Sequence, residues 1–246
     1  MKVIGIIPAR YGSSRLPGKP LKLIMGKPMI QHVYEQALKT KTLDKVIVAT
    51  DDQRIMDVVD GFGGEAFMTR EDHPSGSDRI AEVAAAFECD IVVNIQGDEP
   101  MIQPEIIDEF VEALLADPEA VMSTGCDQMF DKEKYENPNV VKVVSDLNGN
   151  ALIFSRSVIP YPRYPETFAI YEHIGIYAYR KDFLMKYIEL EPTPLMSTES
   201  LEQMKVLEHG YKIKVVKTKF KHEAMSVDTP EDLAAVEAIM KAKMGG

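Results

Sequence analysis

Ile6-Ile7-Pro8-Ala9-Arg10-Tyr11-Gly12-Ser13-Ser14-Arg15-Leu16-Pro17-Gly18-Lys19-Pro20 is the stretch around which the rest of the chain reads. It emerges from an apolar run at 3–7, the composition of a parallel strand buried on both faces. The run then breaks into Gly, Ser and Pro, with cations at Arg10, Arg15 and Lys19, and a helix follows with Pro28 near its first turn. A strand opening into a cationic, glycine-containing loop is an anion cradle, because backbone N–H groups and fixed charges face one way there. Residues 1–34 hold six Lys or Arg and no acid, in a chain of formal charge -11. Two phosphate-binding patterns are excluded. One residue too many separates Gly12 from Gly18 for a Walker loop, and Pro20 follows Lys19 where Ser or Thr is required. The G-x-G-x-x-G dinucleotide fingerprint is absent after the first strand.

Working outward, 246 residues with 45% hydrophobic content make one large domain, read here as 1–246. No apolar run approaches the roughly 20 residues of a membrane span, and the first strand lacks the form of a secretory signal. Cys89 and Cys126 have no ligand spacing, so free thiols and a cytoplasmic location are expected. The net negative charge, with no basic helix or finger pattern, argues against nucleic-acid binding.

Periodicity predicts strands at 3–7, 46–49, 66–68 and 91–95. They alternate with helices at 29–39, 52–59 (ended by Gly61), 78–87 and 104–115, and 70–77 reads as a loop. That rhythm is α/β, a mixed, mostly parallel sheet flanked by helices, with functional residues due at the carboxyl ends of strands. After Val121 it changes. Strands at 140–145 and 151–155 flank Asp146-Leu147-Asn148-Gly149-Asn150, a hairpin signal, and a proline-rich loop covers 160–165. A strand at 173–179, helices at 182–188 and 200–208, a strand at 213–216 and a helix at 230–240 complete an antiparallel addition to the first half.

Pro8 to Leu21 resembles the signature of sugar-acid cytidylyltransferases, and most of all the 3-deoxy-manno-octulosonate (Kdo) cytidylyltransferase, or CMP-Kdo synthetase, family. The similarity continues through Val48-Ala49-Thr50-Asp51, Met68-Thr69, Ser75-Gly76-Ser77-Asp78-Arg79 and Asn94-Ile95-Gln96-Gly97-Asp98-Glu99-Pro100. It runs on through Phe154-Ser155-Arg156, His173-Ile174-Gly175-Ile176-Tyr177, Leu201-Glu202-Gln203 and Val227-Asp228-Thr229-Pro230. The resemblance implies a nucleotide-diphospho-sugar transferase (Rossmann-like) fold. It also implies transfer of CMP from CTP to Kdo with Mg²⁺, in lipopolysaccharide synthesis, by a cytoplasmic homodimer. The alternatives are another sugar-acid acceptor, such as 8-amino-Kdo or sialic acid, or a silent nucleotide-binding relative.

Such chemistry needs cations around the triphosphate and carboxylates for the metal. By resemblance, Arg10 and Lys19 contact the triphosphate, with Ser13 and Arg15 in the same loop; for Arg15, pairing with a surface acid is an equal reading. Asp98, in a tight turn after a strand, suits a hard cation, and the resemblance pairs it with Asp228 as the second magnesium ligand. Asp228 also reads as a helix start, but Thr229 with Asp232 makes a capping box that leaves it spare. Backbone groups of Pro8 and Ala9, with Ser75, Gly76, Ser77 and Arg79, resemble a base-recognition set; Gln96 resembles the residue facing nucleotide and sugar. Arg156 matches the cation for the acceptor carboxylate, against the plainer reading of a hairpin-edge charge. His173, Tyr177, Glu202 and Gln203 resemble sugar-pocket residues, against strand packing for the first two and a solvated helix face for Glu202.

Overall fold

The computed structural model describes residues 1–13, 15–164, 169–222 and 225–244. They group into two compact units, one within Met1–Asp108 and Glu223–Gly246, the other within Glu109–His222.

The first unit opens with β1 (Val3–Ala9), the small hairpin β2 (Leu23–Ile24) and β3 (Lys27–Pro28), and α1 (Met29–Ala37). Then come β4 (Lys45–Thr50), α2 (Gln53–Gly61), β5 (Ala66–Met68), α3 (Gly76–Ala86) and β6 (Ile91–Asn94), before α4 (Pro104–Ala116) leads on. The strands lie in the order β6-β1-β4-β5, all parallel. Ile4, Ile6 and Ile7 of β1 are fully buried, as a strand covered on both faces requires. β1 runs two residues beyond the expected 3–7, because Pro8 and Ala9 stay in register with Ala49 and Thr50.

Pro28 stands next to the first turn of α1, as expected, as its cap. Two helix ends differ from expectation. Gly61 is the last residue of α2, and the reversal falls on Gly63 at φ 79°. α3 starts at Gly76 because the Ser75 hydroxyl accepts the Asp78 N–H at 3.2 Å, which draws Gly76 and Ser77 out of the expected loop into the first turn.

The second unit contains β7 (Met122–Met129), α5 (Lys132–Glu136), β8 (Lys142–Ser145), β9 (Ala151–Ser155) and β10 (Ile170–Arg180). It goes on through α6 (Lys181–Tyr187), α7 (Pro194–Glu199), α8 (Glu202–Glu208) and β11 (Ile213–Lys217). β7 is parallel to β11 and antiparallel to β10, which also pairs with β8 of the β8–β9 hairpin. The antiparallel addition is therefore present, but β7 had no sequence signal. Its Ser123 and Thr124 are fully buried, and their hydroxyls donate to the carbonyls of Phe110 and of Ile174 and Ile176. The helix expected at 200–208 is α8, which starts two residues later because Ser200, in the left-handed region at φ 51°, separates it from the unexpected short helix α7. The proline-rich loop at 160–165 lies within the described residues only to Tyr164.

The last helix, α9 (Pro230–Met244), returns to the first unit. Val227 and Val236 pack with Leu16, Ile24, Met29 and Met101 in one apolar cluster. That cluster fixes the segment before α9 against the loop that follows β1. The architecture is α/β as expected, mixed and mostly parallel. Among the described residues no helix is long and apolar enough to cross a membrane.

Candidate active site

The loop after β1 closes on itself around Tyr11. The Gly18 N–H donates to the Tyr11 carbonyl at 3.2 Å, and the Arg54 guanidinium lies over the Tyr11 ring at 3.3 Å. Gly18 sits at φ 67°, a conformation that releases the chain into the short 3-10 turn Lys19–Leu21. Lys19 is thereby set at a fixed point, and its ammonium donates to Asp98 Oδ2 at 2.7 Å and to Asp228 Oδ1 at 3.0 Å. Arg15 reaches the other oxygen, Asp228 Oδ2, at 3.0 Å. Both readings of Arg15 had merit; in this structure it pairs with an acid, and that acid belongs to the site.

Asp98 and Asp228 are brought together by backbone as well as charge. The Val227 N–H donates to the Asp98 carbonyl at 2.9 Å, tying the turn after β6 to the segment before α9. The capping box forms as expected: the Asp232 N–H donates to Thr229 Oγ1 at 3.2 Å, and Asp232 Oδ2 accepts the Asp228 and Thr229 N–H groups. The Asp228 carboxylate is thus left to the cations. Burial disfavours the Lys19 charge, but Asp98 and then Asp228 outweigh it, and the ammonium is held above its ordinary range. Among the described residues no group of three His, Cys, Asp or Glu side chains could hold a metal ion. Two carboxylates already sharing one cation are hard oxygen donors, the set that suits Mg²⁺ when phosphates supply the remaining ligands.

At the end of β1, Pro8 lies between two glycines. A Cβ on Gly97 would stand 2.8 Å from the Pro8 carbonyl oxygen, and one on Gly76 3.7 Å from its ring. Only glycine at 97 lets the turn approach β1 this closely. Arg79 is buried at 4% exposure, with Nη2 donating to Asp51 Oδ2 at 2.6 Å and Nη1 to Thr69 Oγ1. Arg10 is exposed, Ser13 is half-buried and accepts the Leu16 N–H, and Gln96 is half-buried just beyond β6.

In the second unit, His173 packs edge-on against Phe154 and tilts toward Tyr177, at centroid distances of 4.9 and 5.5 Å. The ring row continues through Tyr179 to Tyr187, whose hydroxyl meets Glu202 Oε2 at 3.3 Å. His173, Tyr177 and Glu202 therefore belong to one continuous row. The Thr124 hydroxyl donates to main-chain carbonyls, so His173 Nε2, 3.0 Å away, is assigned as the protonated nitrogen. Burial, then neighbouring His222, pushes the imidazole down to about 3. Burial likewise drives the Tyr177 phenol up. Gln203 is buried at the start of α8.

Arg156 is half-buried and heavily engaged. Nε donates to the Glu199 carbonyl at 2.7 Å, Nη1 to Pro138 at 2.8 Å and Nη2 to Ser200 at 3.4 Å, while its N–H donates to Glu199 Oε2 at 2.8 Å. Fully buried Lys142 donates to the carbonyls of Asn137, Val140 and Arg156. Sequence reasoning missed Glu199 and Lys142 altogether, and it quoted Asp51 and Thr69 within motifs without giving them a role. For Asp51 and Thr69 the signal was their place one residue beyond a strand; for Glu199 and Lys142 there was none.

The cytidylyltransferase family model matches residues 4–213. The chain is 49% identical to the 3-deoxy-manno-octulosonate cytidylyltransferase of Syntrophotalea carbinolica, over 98% of this chain and 99% of that one. The chain belongs to the 3-deoxy-manno-octulosonate cytidylyltransferase family. To the Fusobacterium nucleatum member it is 51% identical, over 96% of each chain. A solved CMP:2-keto-3-deoxy-manno-octonic acid synthetase complexed with CTP superposes at a TM-score of 0.94 with 46% identity, over 99% of this chain and 100% of that one. The 4-diphosphocytidyl-2C-methyl-D-erythritol synthase of Anaerococcus prevotii, at 17% identity and a TM-score of 0.63 over 98% and 96% of the two chains, shares the fold. As a family member the chain is a nucleotidyltransferase.

Proposed function

We propose that this cytidylyltransferase, acting as one domain over residues 1–246, transfers CMP from CTP to the anomeric hydroxyl of Kdo and releases pyrophosphate. The observation that carries the reading is Lys19 held between Asp98 and Asp228, in a chain with full-length relatives of that name. A sugar hydroxyl attacks the α-phosphorus, the new P–O bond forms, and the bond to pyrophosphate breaks. Two anions must meet and a third must leave, so positioning and charge make up most of the barrier.

Arg10, Lys19 and Arg15, with Ser13, bind the triphosphate; Asp98 and Asp228 favour the charged form of Lys19. Asp98 and Asp228 would hold Mg²⁺, which when bound neutralises charge on the phosphoryl oxygens and the leaving group. Backbone groups at Pro8 and Ala9, with Ser75, Gly76, Ser77, Arg79 and Gln96, bind the nucleoside. Arg156 receives the acceptor's carboxylate, since a planar fork matches it bidentately. Its present carbonyl partners hold the side chain in place in the meantime. His173, Tyr177, Glu202 and Gln203 line the sugar site, and His173 offers it a neutral ring, not a cation.

The same reading makes the protein a cytoplasmic homodimer serving lipopolysaccharide synthesis. The second unit exposes the apolar side chains Phe130, Leu147, Leu152 and Tyr161, which a second copy would cover. Sedimentation at micromolar concentration giving one 27.6 kDa chain would overturn the dimer. The reaction is tested by pyrophosphate release from CTP and Mg²⁺ with Kdo, 8-amino-Kdo and sialic acid in turn. Release with Kdo is expected. Release only with another acid moves the acceptor assignment, and release with none overturns the function.

A further inference from the structure

We infer that Asp51 is a specificity-determining positioning residue, which fixes the plane of Arg79 and through it the choice of base. The inference rests on the reading of Arg79 as a base-recognition residue. Arg79 stands one turn into α3 with its side chain only 5% exposed. A guanidinium out of water needs a matched anion, or its burial is strongly unfavourable. Asp51, the first residue beyond β4 and itself 12% exposed at the side chain, supplies that anion through Nη2 at 2.6 Å. Thr69, the first residue beyond β5, takes Nη1, and its own N–H is fixed by the Thr50 carbonyl at 2.8 Å.

The two terminal nitrogens are therefore held by the ends of two neighbouring parallel strands. A guanidinium is planar with five N–H groups, so fixing both ends fixes the direction of the rest. Direction is what base choice requires. Cytosine carries an acceptor at N3, whereas uracil carries an N–H there; a rigid donor favours the first and opposes the second. A donor free to swing would adapt to either ring. A buried charged group leaves little room for that, provided its counter-charge is in place.

Asp51→Asn keeps the shape and removes the charge. kcat/KM is measured for CTP and UTP, together with KM for the sugar acid. The expected result is a fall of about tenfold in the CTP/UTP ratio, the scale of one buried unsatisfied group, with the sugar-acid KM little altered. A purely structural ion pair would lower both nucleotides' values together; an unmoved ratio overturns the inference. Arg79→Lys, which keeps the charge and loses the fork, is measured in parallel. If its ratio is also unmoved, the base-recognition reading of Arg79 has failed. If its ratio falls while that of Asp51→Asn does not, only the role of Asp51 has failed. Should Asp51→Asn prove unfolded by circular dichroism, Thr69→Val, which removes only the hydroxyl acceptor, is judged by the same ratio.

Discussion

Acidification should weaken the second unit through His173 in a way that one substitution can isolate. The ring touches Phe154 and Tyr177, shares a hydrogen bond with Thr124, and lies near His222, itself held down by burial. In the fold burial pushes the imidazole down to about 3, against an ordinary value of 6.5. The unfolded chain therefore takes up a proton as pH drops through 6.5, and the folded chain does not. Stability from the neutral ring is complete above pH 6.5 and is lost progressively as pH falls toward 3. At about 1.4 kcal/mol per pH unit the two units from 6.5 to 4.5 set a ceiling of about 2.8 kcal/mol, and allowing for partial solvent access the loss between pH 7.5 and 4.5 is roughly 1–2 kcal/mol.

His173→Gln keeps a hydrogen-bonding side chain of similar reach with nothing to protonate. Urea titrations followed by far-UV circular dichroism at pH 7.5, 6.0 and 4.5 give stability for both proteins. The carboxylates titrate in both and cancel in the difference. The variant is expected to be the less stable at pH 7.5, with the gap closing by that amount at pH 4.5. Parallel pH profiles would refute the argument that the fold holds this ring neutral.

If Asp98 and Asp228 hold Mg²⁺ as proposed, Asp98→Asn and Asp228→Asn should each abolish turnover in a folded protein, a loss of several kcal/mol of transition-state stabilisation; near-normal rates at saturating Mg²⁺ would contradict the metal assignment. Arg156→Ala should raise KM for Kdo by the equivalent of about 2–4 kcal/mol, and Arg156→Lys by less, with CTP affinity by calorimetry little changed. Collapse of CTP binding instead would move Arg156 to the nucleotide side. Gly97→Ala should cost about 1–3 kcal/mol, shared between stability and CTP affinity, since its methyl meets the Pro8 carbonyl; unchanged melting temperature and CTP binding together would show that the turn yields.

The sequence alone determined most of the first unit. Its strands are continuous apolar runs and its helices have one apolar face, so periodicity and cap chemistry located them to within a few residues. The cationic loop is legible as a charge reversal, and the capping box at Thr229 leaves Asp228 spare in the sequence itself. The second unit was less legible for a physical reason. β7 buries Ser123 and Thr124 by spending their hydroxyls on carbonyls of other elements, and no local pattern records that. Ser200 separates α7 from α8 at a positive φ that its own side chain does not favour, and nothing in the local pattern announces it. Only the tertiary structure decided which charges meet. Lys19, Asp98 and Asp228 are neighbours because a backbone bond from Val227 joins two segments distant in sequence. Arg79 and Asp51, or Arg156 and Glu199, become partners because strand ends and helix ends converge. Periodicity records which side of an element is apolar; it carries no information about which distant carboxylate will stand opposite a buried cation.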